Sequence, residues 1–179
     1  DYLRSGAIAR FSPIMKKGIE FANQGGFVLG ICNGFQILCE ANLLPGTLTR
    51  NTNHSFICKN VFIKPQHNLT IFTENTGFKD IFKIPIAHAE GSYFADEETL
   101  QGIIDNKQII FKYCDENGEI NKRSNPNGSL KNIAGICNLK RNVFGMMPHP
   151  ERACDPTLNN IDGKLILEGA INMYKNMGK

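Results

Sequence analysis

The sequence predicts an α/β domain of three layers, a mostly parallel sheet between helices, and three observations lead to that class. Residues 27–31 are a short, continuous apolar run, the pattern of a strand buried on both faces of a parallel sheet. Helical periodicity flanks the run, with Ile14, Met15, Ile19 and Ala22 before it and Phe35, Ile37, Leu38 and Ala41 after it. A second apolar stretch, residues 143–147, leads directly into Pro148-His149-Pro150-Glu151.

Taken in order, the chain opens within what looks like a loop, followed by Ala7, Ile8 and Phe11. Ser12-Pro13 then reads as a helix cap with a first-turn proline, and Gly25-Gly26 ends that helix. After the 27–31 strand, a sharp turn at Cys32 precedes a short helix over residues 34–41, which Leu44-Pro45-Gly46 breaks. Residues 56–63, 69–73, 84–88 and 108–114 read as shorter strands, some of them antiparallel. Asp96 is placed to cap a helix carrying Leu100, Ile103 and Ile104, and Asp115-Glu116-Asn117-Gly118 looks like a hairpin turn. Residues 121–129 are polar and loop-like, 133–137 and 143–147 are strands, and a last helix over 162–177 puts Leu165, Ile166, Ala170, Ile171 and Tyr174 on one face. With neither repeat nor linker in view, residues 1–179 are expected to form a single domain.

Bulk composition narrows the class of partner. Hydrophobic residues are 41% and charged residues 21% of the 179, a globular mixture with ample core. Twenty basic against 17 acidic residues leave +3, and no dense basic run suggests a nucleic-acid partner. No apolar run approaches the roughly 20 residues that span a bilayer, so no membrane residence is expected. Cysteines 32, 39, 58, 114, 137 and 154 include no CxxC pair, which argues against a metal site. A chain of this size without a leader pattern reads as reduced and cytoplasmic, not as a disulfide framework.

Two segments carry chemistry. In Gly30-Ile31-Cys32-Asn33-Gly34-Phe35-Gln36, the cysteine sits at a strand-to-helix elbow, where a strained backbone calls for small neighbours such as Gly30 and Gly34. A helix amino terminus below the sulfur is expected to lower the thiol pKa and to offer free amides to an oxyanion. In Met147-Pro148-His149-Pro150-Glu151-Arg152, residues two apart project to one side, so Glu151 can hold one ring nitrogen of His149 while the other faces a nucleophile. The bland alternative for Cys32 is a small buried core residue, and for His149 a structural loop histidine. Their combination favours catalysis by Cys32, His149 and Glu151. His54 and His67 are expected to face solvent, and His88, beside Glu90, to line a pocket or interface.

These segments resemble the class I glutamine amidotransferases, whose elbow reads Gly-x-Cys-x-Gly-x-Gln and whose base and acid lie two apart. Asp1-Tyr2-Leu3-Arg4, Leu44-Pro45-Gly46, Arg50-Asn51, Pro85-Ile86-Ala87-His88, Asn125-Pro126-Asn127-Gly128-Ser129 and Gly145 to Arg152 narrow the resemblance to the amidotransferase subunits of phosphoribosylformylglycinamidine synthases. The resemblance implies a flavodoxin-like sheet and glutamine hydrolysis to glutamate and ammonia. It further implies delivery of the ammonia to a synthetase that forms formylglycinamidine ribonucleotide in purine biosynthesis. Gln36 and Gly34 would help hold glutamine, and the amide of Asn33 would be an oxyanion donor. No cofactor is implied in this chain; ATP and Mg would be used by the large synthetase subunit, and a further partner would be a small accessory subunit.

Ala89 and Ser92 depart from residues common in that family, a change expected to affect local fit only. The family also begins with further strands and a glycine-rich loop that supplies a second oxyanion amide, so the domain is expected to be incomplete at its amino end. Two rival readings are an amidotransferase of another synthetase, of the GMP or CTP type, and an inactive docking module.

Overall fold

The computed structural model describes residues 3–73 and 81–177, with the side chains of residues 3–5, 170 and 173–177 outside that description. Asp1 and Tyr2, and the side chains of Ala170 and Tyr174, therefore lie outside the described part.

The chain opens with helix α1 (Leu3–Ala9), where the sequence suggests a loop, and continues into α2 (Pro13–Asn23). Ser12 takes an extended conformation at the N-cap and Pro13 starts the helix, as the sequence suggests. Of the apolar residues expected on one face of α2, Ala22 is buried, whereas Ile14 is 75% exposed. Strand β1 (Val28–Ile31) leads to helix α3 (Asn33–Glu40), then β2 (Thr47–Thr49) and β3 (Ile57–Pro65). Next come β4 (Phe82–His88), β5 (Ser92–Phe94), α4 (Glu97–Asp105) and β6 (Ile109–Cys114). The chain continues through β7 (Ile133–Cys137), β8 (Val143–Met146) and α5 (Asp162–Met177).

Six strands form one sheet in the order β1-β8-β7-β6-β3-β4, and β2 pairs with β5 separately. The α/β class holds, but the sheet is mixed: among the described strands only β1 and β8 run parallel, and the other four neighbouring pairs are antiparallel. The reason is local. The β7–β8 connection is too short for a crossover helix, which a parallel pair requires. Being at one end of the described sheet, β1 has Val28, Leu29 and Ile31 half-buried instead of buried on both faces.

Two cores on opposite faces of the sheet account for the three layers. One gathers Phe35, Leu38, Ile103, Ile109, Ile136 and Val143 under α3 and α4. The other gathers Ile63, Phe82, Ile84, Phe111, Phe144 and Ile166 against α5. Alternation along β8 serves both, Val143 facing the first and Phe144 the second. A register irregularity between Ile109 and Phe111 sends Ile110 and Phe111 to the same core.

Other expectations need correction. Residues 69–73 form turns, closed by Thr70 and Thr73 hydroxyls 2.8 Å apart, not a strand. Asp115 to Gly118 is a turn, with Gly118 N–H bonded to Asp115 O, but β6 and β7 pair across the much longer segment that follows. That polar segment is not simply solvated: Asn127 and Ser129 are buried. In α5, Ile166 is fully buried while Ile171 is 52% exposed, so the predicted face is only partly covered.

Candidate active site

Because β1 and β8 are parallel neighbours with Ile31 opposite Met146, the residues that follow them emerge at the same carboxyl end of the sheet. Those residues are Cys32 and the Met147 to Arg152 segment. Cys32 N–H donates to Met146 O at 2.8 Å, which ties the elbow to the neighbouring strand. The elbow itself is strained: Cys32 has φ 52 and ψ −106, a backbone conformation that non-glycine residues rarely adopt. Strain of this kind is retained where surrounding structure imposes it, and here β1 and α3 do so on either side.

Gly30 meets the expected steric demand. A Cβ there would stand 2.6 Å from the carbonyl carbon and oxygen of Gly34, at the first turn of α3. Gly34 does not: a Cβ at that position would meet nothing within 4 Å. The close approach of strand and helix thus constrains one of the two glycines.

The expected lowering of the Cys32 thiol pKa is also corrected. Cys32 is only 6% exposed, and burial pushes its thiol above the ordinary value, partly offset by the Asn33 amide and the Arg152 charge. Its sulfur lies 3.8 Å from Ala87 O, and His149 N–H donates to Pro85 O at 2.9 Å, so the sheet curls enough to bring β4 to the site.

Glu151 meets one ring nitrogen of His149 as expected, but through a 3-10 turn over Pro150–Arg152 and not through an extended segment. His149 Nδ1 and Glu151 Oε1 stand 2.6 Å apart, the imidazole buried and the carboxylate 43% exposed. Burial opposes the charge on Glu151, but the His149 hydrogen bond, with help from backbone and Arg152, holds its carboxyl below the usual range. Arg152 Nε reaches the same oxygen at 3.5 Å. His149 Nε2 is buried and has no hydrogen-bond partner among the described residues. Asn33 Oδ1 is likewise buried without one.

Gln36 is buried, and its Nε2 donates to Glu90 O at 2.7 Å, so it braces the 88–93 segment against α3. Polar residues to which the sequence assigns no role hold the same segment. Asn51, fully buried, donates from Nδ2 to the His88 and Ser55 carbonyls and accepts at Oδ1 from Gly91 N–H. His88 Nδ1 lies 3.1 Å from that same Oδ1 and can only donate to it, which leaves Nε2 as a bare acceptor. Asn127 Nδ2 donates to Gly91 O, and Ser129 Oγ accepts from Tyr93 N–H. Arg50-Asn51 and the Asn125 to Ser129 run were the available signals, visible as motifs but not as roles.

His88 is fully buried, and burial together with the neighbouring His149 lowers its pKa to about 4. His54 is exposed, as expected, whereas His67 is half-buried, with its Nε2 buried. Among the described residues no three His, Cys, Asp or Glu side chains are grouped to hold a metal, and no helix is long and apolar enough to cross a membrane.

Residues 5–179 match the CobB/CobQ-like glutamine amidotransferase domain. The chain is 53% identical to the phosphoribosylformylglycinamidine synthase subunit PurQ of Acaryochloris marina, over 99% of this chain and 76% of that protein. It is 56% identical to the subunit of the same name from Synechocystis, over 91% of this chain and 73% of the relative. Among solved structures, PurLQS from Thermotoga maritima superposes with a TM-score of 0.80 at 35% identity, covering 94% of this chain and 72% of that one. A GMP synthase-like protein from Thermoplasma acidophilum, 14% identical with a TM-score of 0.51, shares the fold over 90% of this chain and 65% of that one. The chain belongs to the CobB/CobQ-like glutamine amidotransferases, and within them to the PurQ subunits of phosphoribosylformylglycinamidine synthase.

Proposed function

We propose that this chain is the glutaminase of a phosphoribosylformylglycinamidine synthase and that Cys32, His149 and Glu151 carry the chemistry. The observation that carries the assignment is the placement of Cys32 and His149 beyond the carboxyl ends of parallel neighbours β1 and β8, with Glu151 on the far nitrogen of the histidine.

Cys32 Sγ attacks the side-chain carbonyl carbon of glutamine as its proton passes to His149 Nε2. The carbonyl oxygen gains charge and is met by the amide N–H of Asn33, at the start of α3. His149 returns the proton to the amide nitrogen, the C–N bond breaks, and ammonia leaves a glutamyl thioester. His149 then takes a proton from water, which attacks the thioester, releasing glutamate and restoring the thiol. Glu151 holds the tautomer with Nδ1 protonated and stabilises the imidazolium formed in each half-reaction. Gln36 shapes the pocket through its bond to Glu90 O, and the Gly34 amide offers a further hydrogen bond to substrate.

In this reading residues 1–179 act as one amidotransferase domain without a cofactor of its own. The ammonia passes to a large synthetase subunit, which uses ATP and Mg to form formylglycinamidine ribonucleotide, with a small accessory subunit completing the assembly. The compartment proposed is the cytoplasm, on the strength of the relationship to purine-synthesis subunits. Intact-mass analysis after incubation with 6-diazo-5-oxonorleucine, with the synthetase subunits present, tests the site. One adduct at Cys32, lost in Cys32→Ala, is expected; an adduct elsewhere, or none, overturns it.

A further inference from the structure

Strand β4 and the residues after it reach the candidate site in two different ways. On the strand itself, Pro85 O accepts from His149 N–H and Ala87 O lies 3.8 Å from Cys32 Sγ. Beyond the strand, Glu90 O accepts from Gln36 Nε2 at 2.7 Å. The β3–β4 ladder runs from Ile63 opposite Phe82 to Ile57 opposite His88, and β5 begins only at Ser92. Residues 89–91 therefore lie outside both ladders, and their backbone groups must find partners elsewhere.

Asn51 supplies most of those partners. Its N–H donates to Ala89 O at 2.8 Å, its Nδ2 to His88 O at 2.8 Å, and its Oδ1 accepts from Gly91 N–H at 3.0 Å, with His88 Nδ1 3.1 Å from the same oxygen. One fully buried residue thus grips the segment at positions 88, 89 and 91. Asn51 is itself fixed, since its Nδ2 also donates to Ser55 O and its carbonyl accepts from His54 N–H. Gly91 allows the fit, because a Cβ there would stand 2.4 Å from the His88 ring.

We propose that Asn51 is a positioning residue for glutamine binding: it sets residues 88–91 against Gln36 as one wall of the substrate pocket, without touching the reacting atoms. The proposal rests on the glutaminase reading above. Cys32 and His149 contact the part of β4 that the ladder holds, so their placement does not depend on Asn51. The wall beside Gln36 does. Loss of an interaction that serves the ground state and the transition state alike raises KM and leaves kcat in place. A purely structural asparagine would lower stability and leave KM where it was.

The test is steady-state glutaminase kinetics of the complex with its synthetase subunits, at a temperature where circular dichroism shows each variant folded. Asn51→Asp keeps the shape and the acceptor for Gly91 N–H but turns an oxygen onto the His88 and Ser55 carbonyls. KM for glutamine is expected to rise tenfold or more, with kcat within threefold of the parent. Asn142→Asp is the matched control: Asn142 is also buried and donates from Nδ2 to the carbonyls of Ala22 and Gly26, but it precedes β8, at the end of the sheet away from Cys32. Its KM is expected to stay unchanged. Asn51→Ser removes the same side-chain bonds without adding a charge and decides the question should Asn51→Asp not fold. Unchanged KM in a folded Asn51 variant, or an equal rise in Asn142→Asp, overturns the positioning role. An inactive parent complex overturns the glutaminase reading instead.

Discussion

His149 Nδ1 and Glu151 Oε1 lie 2.6 Å apart although only one residue, Pro150, separates them, because a single 3-10 turn begins at that proline. A bond this short between an imidazole and a carboxylate sets the tautomer of the base. Glu151→Gln keeps the shape and removes the charge, so kcat/KM for glutamine should fall on the order of 100- to 10,000-fold. Steady-state glutaminase assay of the complex checks it, and a loss under tenfold would remove Glu151 from the mechanism. Since the Glu151 carboxyl is held below its ordinary value, its contribution to stability is present above that value and lost as pH falls through the folded one.

Cys32 should distinguish itself by selectivity, not by general reactivity. Its buried, raised-pKa thiol is expected to react with iodoacetamide at pH 7 more slowly than exposed Cys58 and half-exposed Cys154. The glutamine-shaped electrophile should reverse that order. Peptide mapping after timed labelling reads both rates, and early alkylation of Cys32 by iodoacetamide would mean that the thiol is already ionised at rest.

The two elbow glycines should separate in denaturation experiments. Gly30→Ala places a methyl against the Gly34 backbone and is expected to cost about 1–3 kcal/mol. Gly34→Ala enters open space in a helix and should be neutral, or stabilise by up to about 1 kcal/mol. Urea unfolding of both variants decides this, and equal destabilisation would contradict the steric account.

His88 predicts a pH dependence. Its folded pKa of about 4 lies below the ordinary 6.5, so the unfolded chain binds a proton that the folded chain refuses across that interval. Stability should therefore fall as pH drops from about 6.5 to about 4, by on the order of 3 kcal/mol. In His88→Asn that slope should flatten, as read from chemical denaturation across pH; an unchanged slope would assign it to other groups.

Asn51 should be among the costlier polar positions. Replacing it with alanine leaves the Gly91 amide, the His88 ring N–H and two carbonyls in need of partners at a fully buried position. A loss of roughly 2–4 kcal/mol is expected by thermal or chemical denaturation, from several orphaned polar groups together.

Much of the site was legible in the chain because its signals are local. The apolar run before Cys32, Gly30, and the two-residue spacing of His149 and Glu151 each express a short-range constraint that neighbouring residues must meet. The amphipathic helix at Pro13–Asn23 and the Asp96 cap, which accepts from Thr99 N–H at 2.8 Å, were legible for the same reason. Long-range consequences were not. Residues 69–73 have the composition of a strand yet form turns, because no neighbouring strand is positioned to pair with them among the described residues. Asn51, Asn127 and Ser129 read as loop polarity until the 88–93 segment is seen packed against them.

The sequence by itself determined the strand-to-helix elbow at Cys32, the pairing of His149 with Glu151 as candidate site residues, and the α/β class, since these follow from residue type, spacing and periodicity along a few neighbouring positions. Tertiary structure alone decided which strands pair, that β4 curls back to Cys32, and that the thiol is raised instead of lowered. Pairing and burial depend on groups distant in the chain: the sulfur's pKa is set chiefly by the packing that removes water from it, and no window of sequence contains that packing.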